Sequence, residues 1–260
     1  MGNHLYLFPH QDDEVFAFAR IEEDLRKGHT IYICFLTDGT ALGVPASRRN
    51  AESLEALREW GIDSGQIRFL GSEINIRDGS LYDSLDKVFS ALAIQYSVIN
   101  FDQINAPAWE GGHPDHDATF FLALALAKNG LKKVQLRFYY TYNGWRTFWL
   151  FFNVSRPLPG PLKVDRQRLN LKQRLRILFS IRHYRSQFKS WLGLFPVLCL
   201  HMIFNGSDYL AYLLEPFKFV RAHSGSLLYE RWNRMSFDEF ESKTRSFYER
   251  EIANESSNKG

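Results

Sequence analysis

Three ionisable side chains, His10, Asp12 and Asp13, fall within four residues, and Glu14 follows at once. A second group, His113, Asp115 and His116, falls within four more, directly after Gly111-Gly112. Imidazole nitrogen and carboxylate oxygen, offered without thiolate, suit Zn2+ and, next to it, Fe2+ and other first-row divalent ions. Three protein ligands leave a position open for catalysis, whereas a structural site is usually closed by four. An ion so held brings the pKa of a bound water to roughly 7 and polarises a carbonyl. A neighbouring carboxylate that does not ligate can then take the water proton. Each group also has a plainer reading: aspartate favours helix N-caps and the positive end of the helix dipole. Either group alone could be a capping arrangement.

The elements around the two groups bear on that choice. Short apolar, β-branched and aromatic runs predict buried strands at Leu5–Pro9, Thr30–Leu36, Ile67–Leu70, Ser97–Phe101 and Val134–Tyr142. Between them lie amphipathic, helix-length stretches. Asp13–Lys27 stops at Gly28, Ala46–Trp60 at Gly61, and His116–Lys128 at Asn129-Gly130; Leu81–Gln95 follows the turn signal Asp78-Gly79-Ser80. Strand and helix in alternation specify right-handed crossovers and an α/β fold, a Rossmann-like, mostly parallel sheet with helices on both faces. In open α/β sheets ligands bind beyond the carboxyl ends of the strands. Both charged groups follow a strand and open a helix, with Pro114 suited to a first helical position. They therefore share one sheet edge, and they face each other if Leu5–Pro9 and Ser97–Phe101 are neighbours. One ion can join them only if the imidazoles of residues 10 and 116 come within roughly 5 Å, twice a typical bond length.

After residue 142 the pattern changes. Pro157, Pro159, Gly160 and Pro161 mark a boundary between a core, residues 1–160, and an extension, residues 161–260. The extension is expected to be mainly helical and aromatic-rich and to shape substrate access. Lys163 to Lys189 holds nine Lys/Arg and one acid, Asp165, a local net of +8. The whole chain carries only +3, so the remainder carries −5. The small total charge gives no argument for nucleic acid by itself, and no nucleic-acid partner is expected. The basic stretch leads into apolar Trp191–Phe204, an order that writes either a membrane-surface segment across 163–204 or a basic-faced helix followed by a core helix. Trp191–Phe204 is broken by His201 and reads as too short to cross a bilayer. Asp238–Glu251 reads as a last amphipathic helix, and the polar tail Asn254–Gly260 is expected to fray. Cys34 and Cys199 read as buried reduced thiols. With no basic region and apolar stretch opening the chain, the expected setting is cytoplasmic, peripheral to a membrane if the basic segment docks there. His4, His29, His183, His201 and His223 read as structural or surface residues. The aromatic run 144–152, GWRTFWLFF, reads as core or sheet cover ahead of a sugar-stacking platform.

The pairing of PHQDDE at 9–14 with HPDH at 113–116 resembles the PIG-L/LmbE family of metal-dependent N-deacetylases, with Gln11 where the family usually has proline. The resemblance covers roughly residues 3–142 and includes TDG at 37–39, RNAESLEALREWGI at 49–62 and RDGSL at 77–81. It implies zinc held by His10, Asp13 and His116. It implies Asp12 as the base that activates water, and His113 as the group that steadies the oxyanion or acts as acid for the leaving amine. Arg49 and Asp78 match positions that contact the sugar, Asp115 one that orients a histidine, and Tyr139, Tyr140 and Tyr142 are equal candidates for a residue near the oxyanion.

The expected activity is zinc-dependent removal of an acetyl or other acyl group from an amino sugar such as N-acetylglucosamine, free or linked to phosphate or lipid. Amide or ester hydrolysis on a non-sugar substrate is the alternative within hydrolases. A non-catalytic sugar- or lipid-binding module on the same scaffold is the alternative outside them.

Overall fold

The computed structural model describes residues 1–40, 43–130, 134–149, 151–160 and 162–253. The tail 254–260 and Pro161 of the proline cluster lie outside the described residues.

Seven strands form one mixed sheet: β1 (Asn3–Phe8), β2 (Thr30–Phe35), β3 (Ile67–Arg68), β4 (Gln103–Pro107), β5 (Gln135–Tyr139), β8 (Leu162–Arg168) and β9 (Ser207–Leu213). Their order is β3-β2-β1-β4-β5-β9-β8. Neighbours from β3 to β5 run parallel, and β9 is antiparallel to both β5 and β8. The short strands β6 (Tyr142–Asn143) and β7 (Asn153–Val154) pair separately. The chain winds outward from β1 to β3, then returns to lay β4 on the other side of β1. The crevice beyond the carboxyl ends of β1 and β4 is the topological switch point of the sheet.

Strand side chains alternate between faces, and β1 shows both cores. Leu5 and Leu7 pack with Ile104, Phe120, Phe121 and Phe240 on one face, while Tyr6 and Phe8 pack with Phe18, Phe35 and Trp60 on the other. The first face is covered by α4 (Leu85–Gln95), α5 (Pro114–Asn129) and α9 (Phe237–Phe247); the second by α1 (Phe18–Arg26), α2 (Ala46–Glu59), α6 (Leu171–Ser180) and α7 (Phe188–Leu200). Two four-residue helices, α3 (Leu70–Glu73) and α8 (Leu228–Arg231), close loops. The extension thus contributes β8 and β9 to the main sheet as well as helices.

One expected strand moves. Ser97–Phe101 is the turn that ends α4, with Val98 left exposed, and the strand is Gln103–Pro107. Its polar members hid it. Gln103 donates to Asn105 Oδ1 (2.7 Å) and Asn105 to the Leu5 carbonyl (3.2 Å), so the polarity is satisfied inside the sheet. The aromatic run 144–152 is not core along its length, because Phe148, Trp149 and Phe151 are exposed. The apolar segment at 191–204 also differs from expectation. A turn before α7 and a wider turn after it extend the helix to Arg185–Asn205, 21 residues, long and apolar enough by length and composition to cross a membrane.

Candidate metal centre

Past β1 the chain turns over the sheet edge, and Asp13 starts a 3-10 turn, Asp13–Phe16. Asp12 sits at φ +119°, a region that costs a non-glycine residue of order 1–3 kcal/mol and is kept where the surroundings over-determine it. Its N–H donates to Glu14 Oε2 (2.8 Å). Past β4 the loop runs through Gly111, at φ +66°, and Gly112, where an added Cβ would overlap the Tyr142 carbonyl oxygen. That crowding accounts for the glycine pair. His113 then caps α5, its Nδ1 accepting from the Asp115 N–H (3.2 Å), and Pro114 fills the first helical position.

His10, Asp13, His113 and His116 are all buried. The ring centroids of His10 and His116 are 5.5 Å apart, and one ligating atom from each of His10, Asp13 and His116 lies within 4.8 Å of the others. It is these atoms, not the centroids, that would meet an ion. His10 Nδ1 lies 3.1 Å from Asp13 Oδ2, and His116 Nε2 lies 3.2 Å from Asp13 Oδ1. The outer nitrogens are engaged elsewhere: His10 Nε2 lies 3.0 Å from Asp115 Oδ2, and His116 Nδ1 2.9 Å from Thr141 Oγ1. Thr141 in turn donates to Glu110 Oε1 (3.1 Å).

These partners assign the protons. A hydroxyl that donates to Glu110 must accept from His116 Nδ1–H, which leaves a lone pair on Nε2. The Asp115 carboxylate takes the His10 Nε2–H, which leaves a lone pair on Nδ1 once the ring is neutral, as it must be to ligate. Two lone pairs therefore face the two oxygens of one buried carboxylate, and His116 Nε2 has no hydrogen-bond partner among the described residues. Acceptors crowded against acceptors call for a cation. Without an ion, a proton on His10 answers the same demand. Burial alone would raise the Asp13 carboxyl, but His116 and His10 hold it far below the usual carboxylate range. Burial alone would lower His10, but Asp78, Asp115 and Asp13 raise it well above the usual imidazole value. The donor set fits a divalent ion with oxygen and nitrogen ligands.

Around this centre, burial pushes Asp12 up to about 8, against the opposing pull of Arg49 and with help from the charges of Asp13 and Glu14. His113 is pushed well below the usual imidazole value, first by burial, then by His10, Arg234 and His116. Arg234 Nη1 approaches His113 Nε2 directly. Because Nδ1 accepts from Asp115, the His113 proton sits on Nε2, so two donors converge there.

The other sequence-selected residues separate. Arg49, matched to a sugar contact, is buried; it donates to the carbonyls of Gly39 (3.0 Å) and Gln11 and lies 3.3 Å from Asp12 Oδ1. Those three acceptors hold it behind Asp12, away from solvent. Asp78 stays at the rim, its Oδ1 3.4 Å from His10 Nε2. Asp115 also accepts from the N–H groups of Gly79 (2.7 Å) and Leu81 (2.9 Å), which ties the RDGSL turn to His10. The tyrosines are distinguishable here. Tyr139 donates to the Leu7 carbonyl (2.9 Å) in the core, whereas the Tyr142 ring lies 5.2 Å from that of His116. Burial and then Asp13 raise the Tyr142 hydroxyl well above its usual value. Sequence reasoning missed Glu110, Thr141 and Arg234. Thr141 had a signal, its place at the carboxyl end of a predicted strand; Arg234 had none.

A further group, His4, Asp24 and His29, lies at the amino end of β1. There Asp24 Oδ2 is already engaged by His4 Nδ1 (2.7 Å) and the Tyr6 hydroxyl (2.7 Å), which makes it structural.

Residues 5–127 match the family model described as PIG-L, GlcNAc-PI de-N-acetylase. No curated protein sequence matches the chain. The fold is similar to a deacetylase in the biosynthesis pathway of teicoplanin (17% identical, TM-score 0.62, covering 80% of this chain and 96% of that one). It is similar to N,N'-diacetylchitobiose deacetylase from Pyrococcus horikoshii (20% identical, TM-score 0.56, 80% and 82%). It is also similar to a 4-carboxy-2-hydroxymuconate hydratase from Pseudomonas putida (14% identical, TM-score 0.51, 85% and 100%). Identities this low carry the fold alone, and the third structure shows that one fold hosts more than one chemistry.

Proposed function

We propose that this chain, whose residues 5–127 belong to the PIG-L family, is a metal-dependent hydrolase that removes an N-acyl group, most simply acetyl, from an amino sugar or amino-sugar conjugate. The observation that carries the reading is the convergence of His10 Nδ1 and His116 Nε2 on the two oxygens of Asp13. The family model's description and the two deacetylases of similar fold support the substrate class.

His10, Asp13 and His116 would hold the ion, zinc or another first-row divalent metal, with Asp115 and Thr141 fixing which imidazole nitrogens face it. When bound, the ion supplies a Lewis acid that acidifies water and polarises the amide carbonyl. Asp12 takes the water proton. Its raised carboxyl gives it a proton affinity matched to neutral pH, and a cation beside it would draw that affinity down. Arg49 positions Asp12 from behind and reaches the substrate only through it. His113 Nε2–H and Arg234, two donors at one place, stabilise the negative charge that develops on the carbonyl oxygen, and the Tyr142 ring lies beside His116 (5.2 Å). The proton held by Asp12 passes to the leaving nitrogen as the C–N bond breaks, so water supplies oxygen to the acid and hydrogen to the amine. Asp78 at the rim accepts from a sugar hydroxyl. Residues 161–260 shape the entrance, since Arg234 lies at the site and the Leu228 N–H bonds the Gly111 carbonyl (2.8 Å).

The test is acetate release from free, phosphate-linked and lipid-linked N-acetyl amino sugars, after chelation and again with zinc, cobalt, manganese or iron restored. Release that needs the metal is expected. Stoichiometric metal binding without release from any N-acyl sugar would favour a second reading, hydrolysis or hydration of a non-sugar substrate, for which the hydratase of similar fold is the supporting observation.

A further inference from the structure

The helix Arg185–Asn205 carries two apolar stripes. Trp191, Leu198 and Met202 face the protein, where the Trp191 ring lies 6.3 Å from that of Phe16 and 6.4 Å from that of Tyr184. Phe188, Leu192, Phe195 and Ile203, spaced at four, three and eight residues, face outward and are exposed. A helix that is apolar all round belongs in a core or in lipid, and only 22% of the most apolar window of this one is buried. The preceding helix α6 repeats the pattern, with Leu171, Leu175 and Phe179 exposed at intervals of four. Between the two lies an open groove of about 620 Å³, walled by Phe179, Ile181, Tyr184, Phe188, Trp191 and Leu192.

The segment itself carries charge of one sign, while Glu22 of α1 and Glu59 of α2 pair with Arg176 and with Arg182 and His183 along its inner border. Between residues 166 and 205 there is no Asp or Glu. Lys172, Arg185 and Lys189 are exposed and, among the described residues, make no ion pair. Cationic side chains bordering exposed aromatic and aliphatic ones match the layering of an anionic bilayer surface, phosphate outside and acyl chain within. A protein partner of matching shape would need acidic residues around an apolar centre; the groove, mostly apolar with Arg182 and Arg185 at its border, suits an acyl chain with an anionic head better.

We infer that the α6–α7 face seats the protein on an anionic lipid surface, with its outer apolar stripes in the interface and Lys172, Arg185 and Lys189 on lipid phosphates. The inner stripe stays on the protein, so the helix lies along the membrane rather than across it. The same helix backs the metal centre through a chain of rings: Trp191 to Phe16 (6.3 Å), Phe16 to Tyr142 (6.4 Å) and Tyr142 to His116 (5.2 Å). Docking therefore holds the catalytic edge close to the lipid surface.

Vesicle flotation tests this without reference to turnover, so its outcome is independent of the deacetylation reading. Full-length protein is floated with phosphatidylcholine vesicles, with and without phosphatidylglycerol as a third of the lipid, in low and high salt. Expected is binding to the anionic vesicles only, weakened by salt. Each of K172Q, R185Q and K189Q should lower the partition coefficient about fivefold, and F188S combined with L192S should abolish binding. Circular dichroism melts of these surface variants establish that they are folded. No binding to either vesicle, or equal binding to both, would overturn the inference. So would a wild-type dimer that fails to float and that F188S/L192S converts to a monomer, because the face would then join two copies of the chain.

Discussion

At the carboxyl ends of β1 and β4 the molecule buries His10, Asp13, His113, Asp115 and His116. Along α6 and α7 it exposes Leu171, Leu175, Phe179, Phe188 and Leu192. The two regions invert the usual partition, charge inside and apolar surface outside, and each inversion is unfavourable for the isolated chain. The difference lies in what each has prepared. The buried cluster is specified atom by atom, with Asp115, Thr141 and Glu110 assigning the imidazole protons. The exposed face has no such network; its information is sign of charge and area. On the proposed readings, a precise polar cage would select an ion, whereas a broad apolar face with cations would select a kind of surface. Departures from local consistency of this sort are where function is expected.

The largest effect should come from the cage. His10→Ala or His116→Ala should remove both metal and deacetylation, read by metal analysis and acetate release, while vesicle flotation persists. Loss of flotation too would mean that the two regions fold as one unit. Asp12→Asn should keep the metal and lose about 10²- to 10⁴-fold in turnover; near-normal turnover would remove Asp12 as the base.

Next comes a pH effect on stability. Burial pushes Glu110 up to about 7 from an ordinary 4.5, opposed by the hydrogen bonds from Asn143 and Thr141. A raised carboxyl pKa means the folded state holds the proton more tightly. Its contribution is therefore full below about pH 4.5 and is lost as pH rises through about 7, by about 3 kcal/mol in total. Glu110→Gln should flatten that part of the stability profile in urea unfolding between pH 5 and 8; an unchanged slope would show that Glu110 is ionised throughout.

Thr141→Val should lower metal affinity about 10- to 100-fold, by freeing the His116 tautomer, which competition with a chelator would read. The smallest effect belongs to the other region: Leu192→Ser should leave deacetylation of a soluble N-acetyl sugar unchanged. A clear fall would show that the apolar face also supports the site through Trp191 and Phe16.

The legibility of the molecule follows from where information is local. β1, β2 and the helices that end at Gly28 and Gly61 were readable because apolar runs and stop residues are contiguous, and both glycines take positive φ. β4 was not, because Gln103 and Asn105 look like loop residues until their partners in the sheet are known. The long helix through Arg185–Asn205 was underestimated because His201 and the basic residues at its start interrupt the composition without interrupting the backbone.

The candidate metal cage divides the same way. The residue types of the candidate ligands stand in two short words of sequence, since metal chemistry is set by the donor atoms themselves. Their meeting depended on β4 lying beside β1, which no local pattern states. Which nitrogen of each imidazole faces inward was decided by Asp115 and Thr141, and Arg234 reaches His113 from 121 residues away. Side-chain chemistry is a property of each residue and survives in a linear sequence. Proton placement, burial and the convergence of distant donors are properties of neighbours in space, and only the folded chain supplies those.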